Sequence, residues 1–109
     1  MVIEINNDNF EREIIKSEIP VIIDFYADWC GPCQMMKPVF EELSQKFKGK
    51  LKFVKINTGV NPEITQRYEI TGIPCLIVIN KGKEIDRIIG FKNSNELQKN
   101  IQDILAKIK

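Results

Sequence analysis

Two periods of apolar residues alternate along this chain. Val21 to Ala27 is apolar on both faces except for Asp24, the pattern of a central strand. Beyond it Met36, Val39, Phe40, Leu43 and Phe47 recur at helical spacing, which predicts a helix over Gln34–Lys48 that Gly49 stops. Val2 to Ile5 predicts a short first strand. Asp8 with Glu11 makes a capping-box-like start for a helix carrying Phe10, Ile14 and Ile15. Leu51 to Asn57 predicts a third strand, and Asn61-Pro62 suits the cap and first position of a short helix through Tyr68. Pro74 to Ile79 and Lys83 to Ile89 predict two strands joined at Asn80-Lys81-Gly82, where glycine is available for positive φ. Asn93 with Glu96 opens a last helix whose Leu97, Ile101, Ile104, Leu105 and Ile108 share one face. The order βαβαβ followed by αββα demands parallel pairing first and an antiparallel hairpin later. An α/β fold is expected, with a central mixed sheet of about five strands flanked by four helices on both faces.

No repeat, low-complexity tract or linker interrupts the 109 residues, so residues 1–109 are expected to form a single domain. Lys+Arg 16 against Asp+Glu 15 leaves a net charge of +1. No basic field exists to hold nucleic acid or an anionic membrane, and neither is expected as a partner. The first residues lack the apolar core of a signal peptide and no apolar run approaches a membrane span, so a cytoplasmic protein is expected.

The chemistry gathers at Trp29-Cys30-Gly31-Pro32-Cys33, between the central strand and the long helix. Two cysteines three positions apart can close a small disulfide ring and open it again with little motion. A helix N-terminus stabilises a thiolate, because its unpaired N–H groups and dipole point at the first sulfur. With Cys30 at the N-cap, Pro32 has no N–H to give, and the Cys33 N–H is the natural donor to the Cys30 sulfur. The chain has 3 cysteines and no histidine, which excludes a histidine base and Cys/His zinc patterns. A structural pair or half of a zinc site would need two further ligands, and neither metal nor cofactor is expected.

IDFYADWCGPCQMMKP, Lys55, Asn61-Pro62, the Gly72-Ile73-Pro74 run and Gly90 together resemble the thioredoxin family, essentially end to end. The resemblance implies a thioredoxin fold and a protein-disulfide reductase recharged by a flavin-dependent thioredoxin reductase. Disulfide-containing proteins would be its targets, and a monomer is expected. It implies that Cys30 attacks a target disulfide and that Cys33 resolves the mixed disulfide. It gives Asp24 the role of base towards Cys33, with Lys55 as its neighbour. Ile73 would offer backbone hydrogen bonds to an extended target, after which a cis bond places Pro74 against the redox pair. Gly31 and Pro32 shape the approach, and Gly90 borders the groove.

Several residues carry two readings. Asp24 is costly to bury and Lys55 sits on the inward Leu51/Phe53 parity; the plainer alternative is an edge carboxylate and a snorkelling lysine. Trp29, the single tryptophan, either fills the core or shields the reactive sulfur and touches substrate. Gly72 and Gly90 either permit close backbone approach or serve turns. Pro38 would kink the long helix by freeing the Gln34 carbonyl. Cys75 stands where the family commonly has threonine. Strand alternation turns it away from Pro74 as a buried small residue; were it to reach Cys30, a third redox thiol or an iron–sulfur-binding module would become the alternative function.

Overall fold

The computed structural model describes residues 1–108. Five strands, β1 (Ile3–Glu4), β2 (Val21–Tyr26), β3 (Lys52–Asn57), β4 (Cys75–Asn80) and β5 (Lys83–Ile89), form one sheet in the order β1-β3-β2-β4-β5. β1, β3 and β2 run parallel, and β4 and β5 join antiparallel. Four helical segments complete the fold: a π-wound turn (Glu11–Ile15), α1 (Gly31–Lys46), α2 (Pro62–Arg67) and α3 (Ser94–Leu105).

Alternation along the strands splits the interior into two layers. Ile22, Phe53, Leu76 and Val78 face α1 and α3, meeting Met36, Phe40, Leu43, Leu97 and Ile101. Ile23, Phe25, Val54, Ile56 and Ile77 face the other way, against Phe10 just before the π-wound turn, Ile14 within it and Ile64 of α2. Helices on both faces relieve β2 of any solvent face, which is why its sequence is nearly continuous in apolar residues.

Local sequence signals are realised unevenly. Asn93 and Glu96 form a reciprocal capping box at 2.9 and 3.1 Å. Lys81 and Gly82 both take positive φ, as a two-residue hairpin with the strands' twist requires. The Asp8–Glu11 box does not form. Instead the Asn6 carbonyl oxygen Oδ1 accepts from the Asp8 N–H at 2.8 Å, and Asn9 Oδ1 accepts from the Asn6 N–H at 2.8 Å. The Lys16 N–H then donates to the Glu11 carbonyl, closing a wider turn than an α-helix. Lys52 fastens this turn to β3 through the Glu13 carbonyl at 3.0 Å and the Glu13 carboxylate. Asn61 does not cap α2 with its side chain; its Nδ2 donates to the Asn57 carbonyl at 3.0 Å, closing the loop behind β3. α1 starts three residues earlier than the periodicity predicts and runs through Pro38.

Candidate active site

β2 ends at Tyr26, and four residues later Cys30 caps α1 with extended backbone (φ −92°, ψ 111°). Gly31, Pro32 and Cys33 are then the first three helical positions, and the Cys33 N–H donates to Cys30 Sγ at 3.2 Å. Pro32 suits this turn because its missing N–H belongs to a group the helix would leave unpaired. Cys30 and Cys33 are joined as a disulfide with Cα atoms 5.2 Å apart. Of the two, only Cys30 lines the adjoining cleft of about 550 Å³; Cys33 is 2% exposed and turned into the fold.

Trp29, Gly31, Pro32 and Ile73 line the same cleft with Cys30. Trp29 is 81% exposed, which removes the core reading for this residue. A Cβ on Gly31 would meet nothing within 4 Å, so the cleft beside Cys30 is open at this position. Cys30 Sγ lies 3.9 Å from the Ile73 carbonyl oxygen, and the Ile73–Pro74 bond is cis. The Pro74 carbonyl accepts from the Gly90 N–H at 2.9 Å, fixing this loop to the end of β5.

Gly90 has φ 91°, so a turn requirement explains it; a Cβ there would meet nothing within 4 Å. Gly72 likewise has room for a Cβ, whose nearest neighbour is Ile89 at 4.0 Å. No other part of this chain packs closely on either glycine.

Asp24 and Lys55 are paired in register on β2 and β3, on the α1 face of the sheet. Asp24 is 4% exposed and its Oδ1 has no hydrogen-bond partner. Burial raises its pKa to about 7, against the pull of the Lys55 ammonium and with the push of Glu4. The edge-carboxylate reading thus falls. Lys55 is not ion-paired with it: its Nζ lies 3.7 Å from Glu4 and 5.8 Å from the centroid of the Tyr26 ring. Tyr26 links this row to the redox pair, packing against Ala27, Cys30 and Cys33.

Cys75 is buried in the opposite layer, opposite Phe25 in the β2–β4 ladder. Burial pushes its thiol pKa up. It does not join Cys30 and Cys33 in their cluster, and among the described residues no three Cys, Asp or Glu side chains gather as a metal set. The trio needed for a cluster-binding alternative is not assembled.

Three further residues shape the site through contacts between elements. Gln34 Nε2 donates to the Asp28 carbonyl at 3.3 Å and to the Ala27 carbonyl at 3.5 Å, lacing the loop before Cys30 to the first turn of α1. Thr58 Oγ1 donates to the Tyr26 carbonyl at 3.1 Å. Glu4 meets Tyr26 and Lys55 across the sheet edge. A polar residue one turn into the helix was the available signal for Gln34. Glu4 had none, because its partners lie on two other strands.

A disulfide between a helix N-cap and its third helical residue, beside an apolar cleft on this mixed sheet, defines a thiol–disulfide exchange site. The family model described as Thioredoxin matches residues 1–103. Thioredoxin 1 of Nostoc sp. is 36% identical over 99 residues, covering 91% of this chain and 92% of the relative. Thioredoxin of Synechocystis sp. is 37% identical, covering 94% and 95%. Thioredoxin of Rickettsia felis is 38% identical, covering 89% and 92%. The chain belongs to the thioredoxin family, and it is a thiol–disulfide oxidoreductase that reduces protein disulfides.

Proposed function

We propose that Cys30 is the attacking sulfur and Cys33 the resolving one, with Asp24 as proton acceptor. The Cys30 thiolate attacks a target disulfide, forming a mixed disulfide while the target's second sulfur leaves as thiolate. Cys33 then gives its proton to Asp24 and attacks Cys30 Sγ. The target's remaining sulfur departs, and the Cys30–Cys33 bond holds the oxidised form. Two electrons pass to the target, and solvent supplies the protons its thiolates take up. The N–H of Cys33 aimed at Cys30 Sγ carries this assignment, because it stabilises charge on the sulfur that faces the cleft.

Asp24 accepts a proton near neutrality because burial has already raised its pKa to about 7. Lys55 stands beside it in the ladder and helps set its charge. Trp29, Gly31, Pro32 and Ile73 form the surface that meets the target, with Pro74 and Gly90 holding the loop that carries Ile73. A thioredoxin reductase restores the dithiol, and the 109 residues act as one monomeric unit in the cytoplasm. No helix among the described residues is long and apolar enough to cross a membrane.

The test is trapping. Cys33→Ser mixed with a disulfide-bonded protein such as insulin accumulates a covalent complex through Cys30, whereas Cys30→Ser forms none. A complex that forms only with Cys30→Ser reverses the assignment.

A further inference from the structure

Three strands set a line of charge across one end of the sheet. Parallel register places Glu4 beside Lys55 and Lys55 beside Asp24, all on one face with Tyr26. The Tyr26 hydroxyl donates to both oxygens of the Glu4 carboxylate, at 3.0 and 2.9 Å. One ammonium therefore stands between two carboxylates, and it pairs with the outer one at 3.7 Å. The inner one, Asp24, keeps a buried oxygen without a partner.

We propose that Glu4 is a positioning residue of the redox site: held by Tyr26, it draws the Lys55 ammonium towards the sheet edge and leaves the buried Asp24 carboxyl without an ion-pair partner. The inference rests on Asp24 being the base that serves Cys33. A buried carboxylate gripped by lysine would stay ionised and would be a poor proton acceptor near neutrality. Glu4 acts twice, once by occupying Lys55 and once through its own negative charge.

Among the described residues no other neighbour supplies a competing cation to Asp24. From β4 the facing side chain is Leu76, with the Cys75 thiol on the reverse face. Met36 and Phe40 of α1 are apolar, and α3 reaches this layer through Leu97 and Ile101. Cys33, at the start of α1, is held as disulfide in the oxidised form. Asp28, beyond β2, adds an anion that bears on Tyr26. Lys55 is thus the cation whose position matters, and Glu4 holds it.

Glu4→Gln keeps the side chain's shape at a half-exposed edge position and removes its charge. The carboxyl carbon of Asp24 is titrated by NMR in the oxidised protein, where Cys30 and Cys33 carry no proton. The midpoint falls by about one pH unit relative to wild type, as expected when a cation is freed to a neighbouring carboxylate. In a Lys55→Met background the same Glu4→Gln change moves the midpoint by less than about half as much, because the two residues act as a coupled pair. An unchanged midpoint in Glu4→Gln, or an undiminished shift in Lys55→Met, overturns the proposal. The base assignment is tested separately with Asp24→Asn. If that variant releases mixed disulfides at the wild-type rate while Glu4→Gln still shifts the titration, the base reading fails and the positioning stands.

Discussion

The backbone N–H of Cys33 points at the sulfur of Cys30 from 3.2 Å, so in the proposed cycle the resolving residue would also stabilise the attacking one. Reduction leaves that donor in place, since it belongs to the helix and not to the thiol. Only one of the two sulfurs then meets solvent-borne reagents. In the reduced protein, limiting iodoacetamide is expected to alkylate Cys30 first, with Cys33 and Cys75 largely spared. Peptide mapping by mass spectrometry checks this, and preferential labelling of Cys75 would contradict it.

Asp24 makes stability depend on pH in a defined direction. Its folded pKa, about 7, stands above its ordinary value of 3.8, so the native state binds the extra proton between those limits. That contribution is fully present at the acid end and is lost as pH rises through about 7. Asp24→Asn has no such loss. Its stability advantage over wild type should grow across that window and level off at roughly 2–4 kcal/mol above it, since a tenfold change in proton affinity corresponds to about 1.4 kcal/mol. Urea unfolding at a series of pH values measures the gap; an advantage that shrinks with rising pH would refute the assignment.

Cys75 has a packing role. Cys75→Ala should keep disulfide-reductase turnover close to wild type and cost about 1 kcal/mol of stability, the scale of a small buried group removed. Turnover with reductase and insulin tests the first part, denaturant unfolding the second. Loss of turnover in a folded Cys75→Ala would restore the third-thiol reading.

Trp29 presents a large apolar surface to the cleft and little to the core. Trp29→Ala is expected to leave unfolding free energy within about 0.5 kcal/mol of wild type, as for other surface changes. It should lower kcat/KM for protein disulfides about tenfold or more, as truncation of an interface aromatic does. A small disulfide such as oxidised glutathione should be affected less. Equal loss for both substrates would place its effect on the sulfur chemistry itself.

Contrasting residues show what a linear reading of this chain can reach. Asn93 and Glu96 satisfy each other within a single turn, so their spacing alone foretold the cap. Asp8 and Glu11 have a similar spacing, yet Asn6 and Asn9 hold the same stretch by hydrogen bonds across a tighter loop. Composition cannot rank such rivals. The Cys30 cap was legible because Pro32 leaves one natural donor. Lys55 was recognisable as an inward cation from strand parity, but its actual partner, Glu4, depends on how β1 registers against β3. Gly90 was legible as a glycine with a purpose, and only its φ separates a turn from a close approach. Tertiary register and backbone angle are what the one-dimensional pattern withholds.

The two-layer division of the sheet has a further bearing on β2. Asp24 and Phe25 are adjacent, and each belongs to a different interior. Sliding this strand by one residue would drive the carboxylate among Phe10, Tyr68 and Ile64, and would set an aromatic ring against the lysine. Misalignment would therefore remove the proposed proton acceptor in the same stroke that it disrupts packing. For this strand, correct assembly and competence in electron transfer are checked by a single placement.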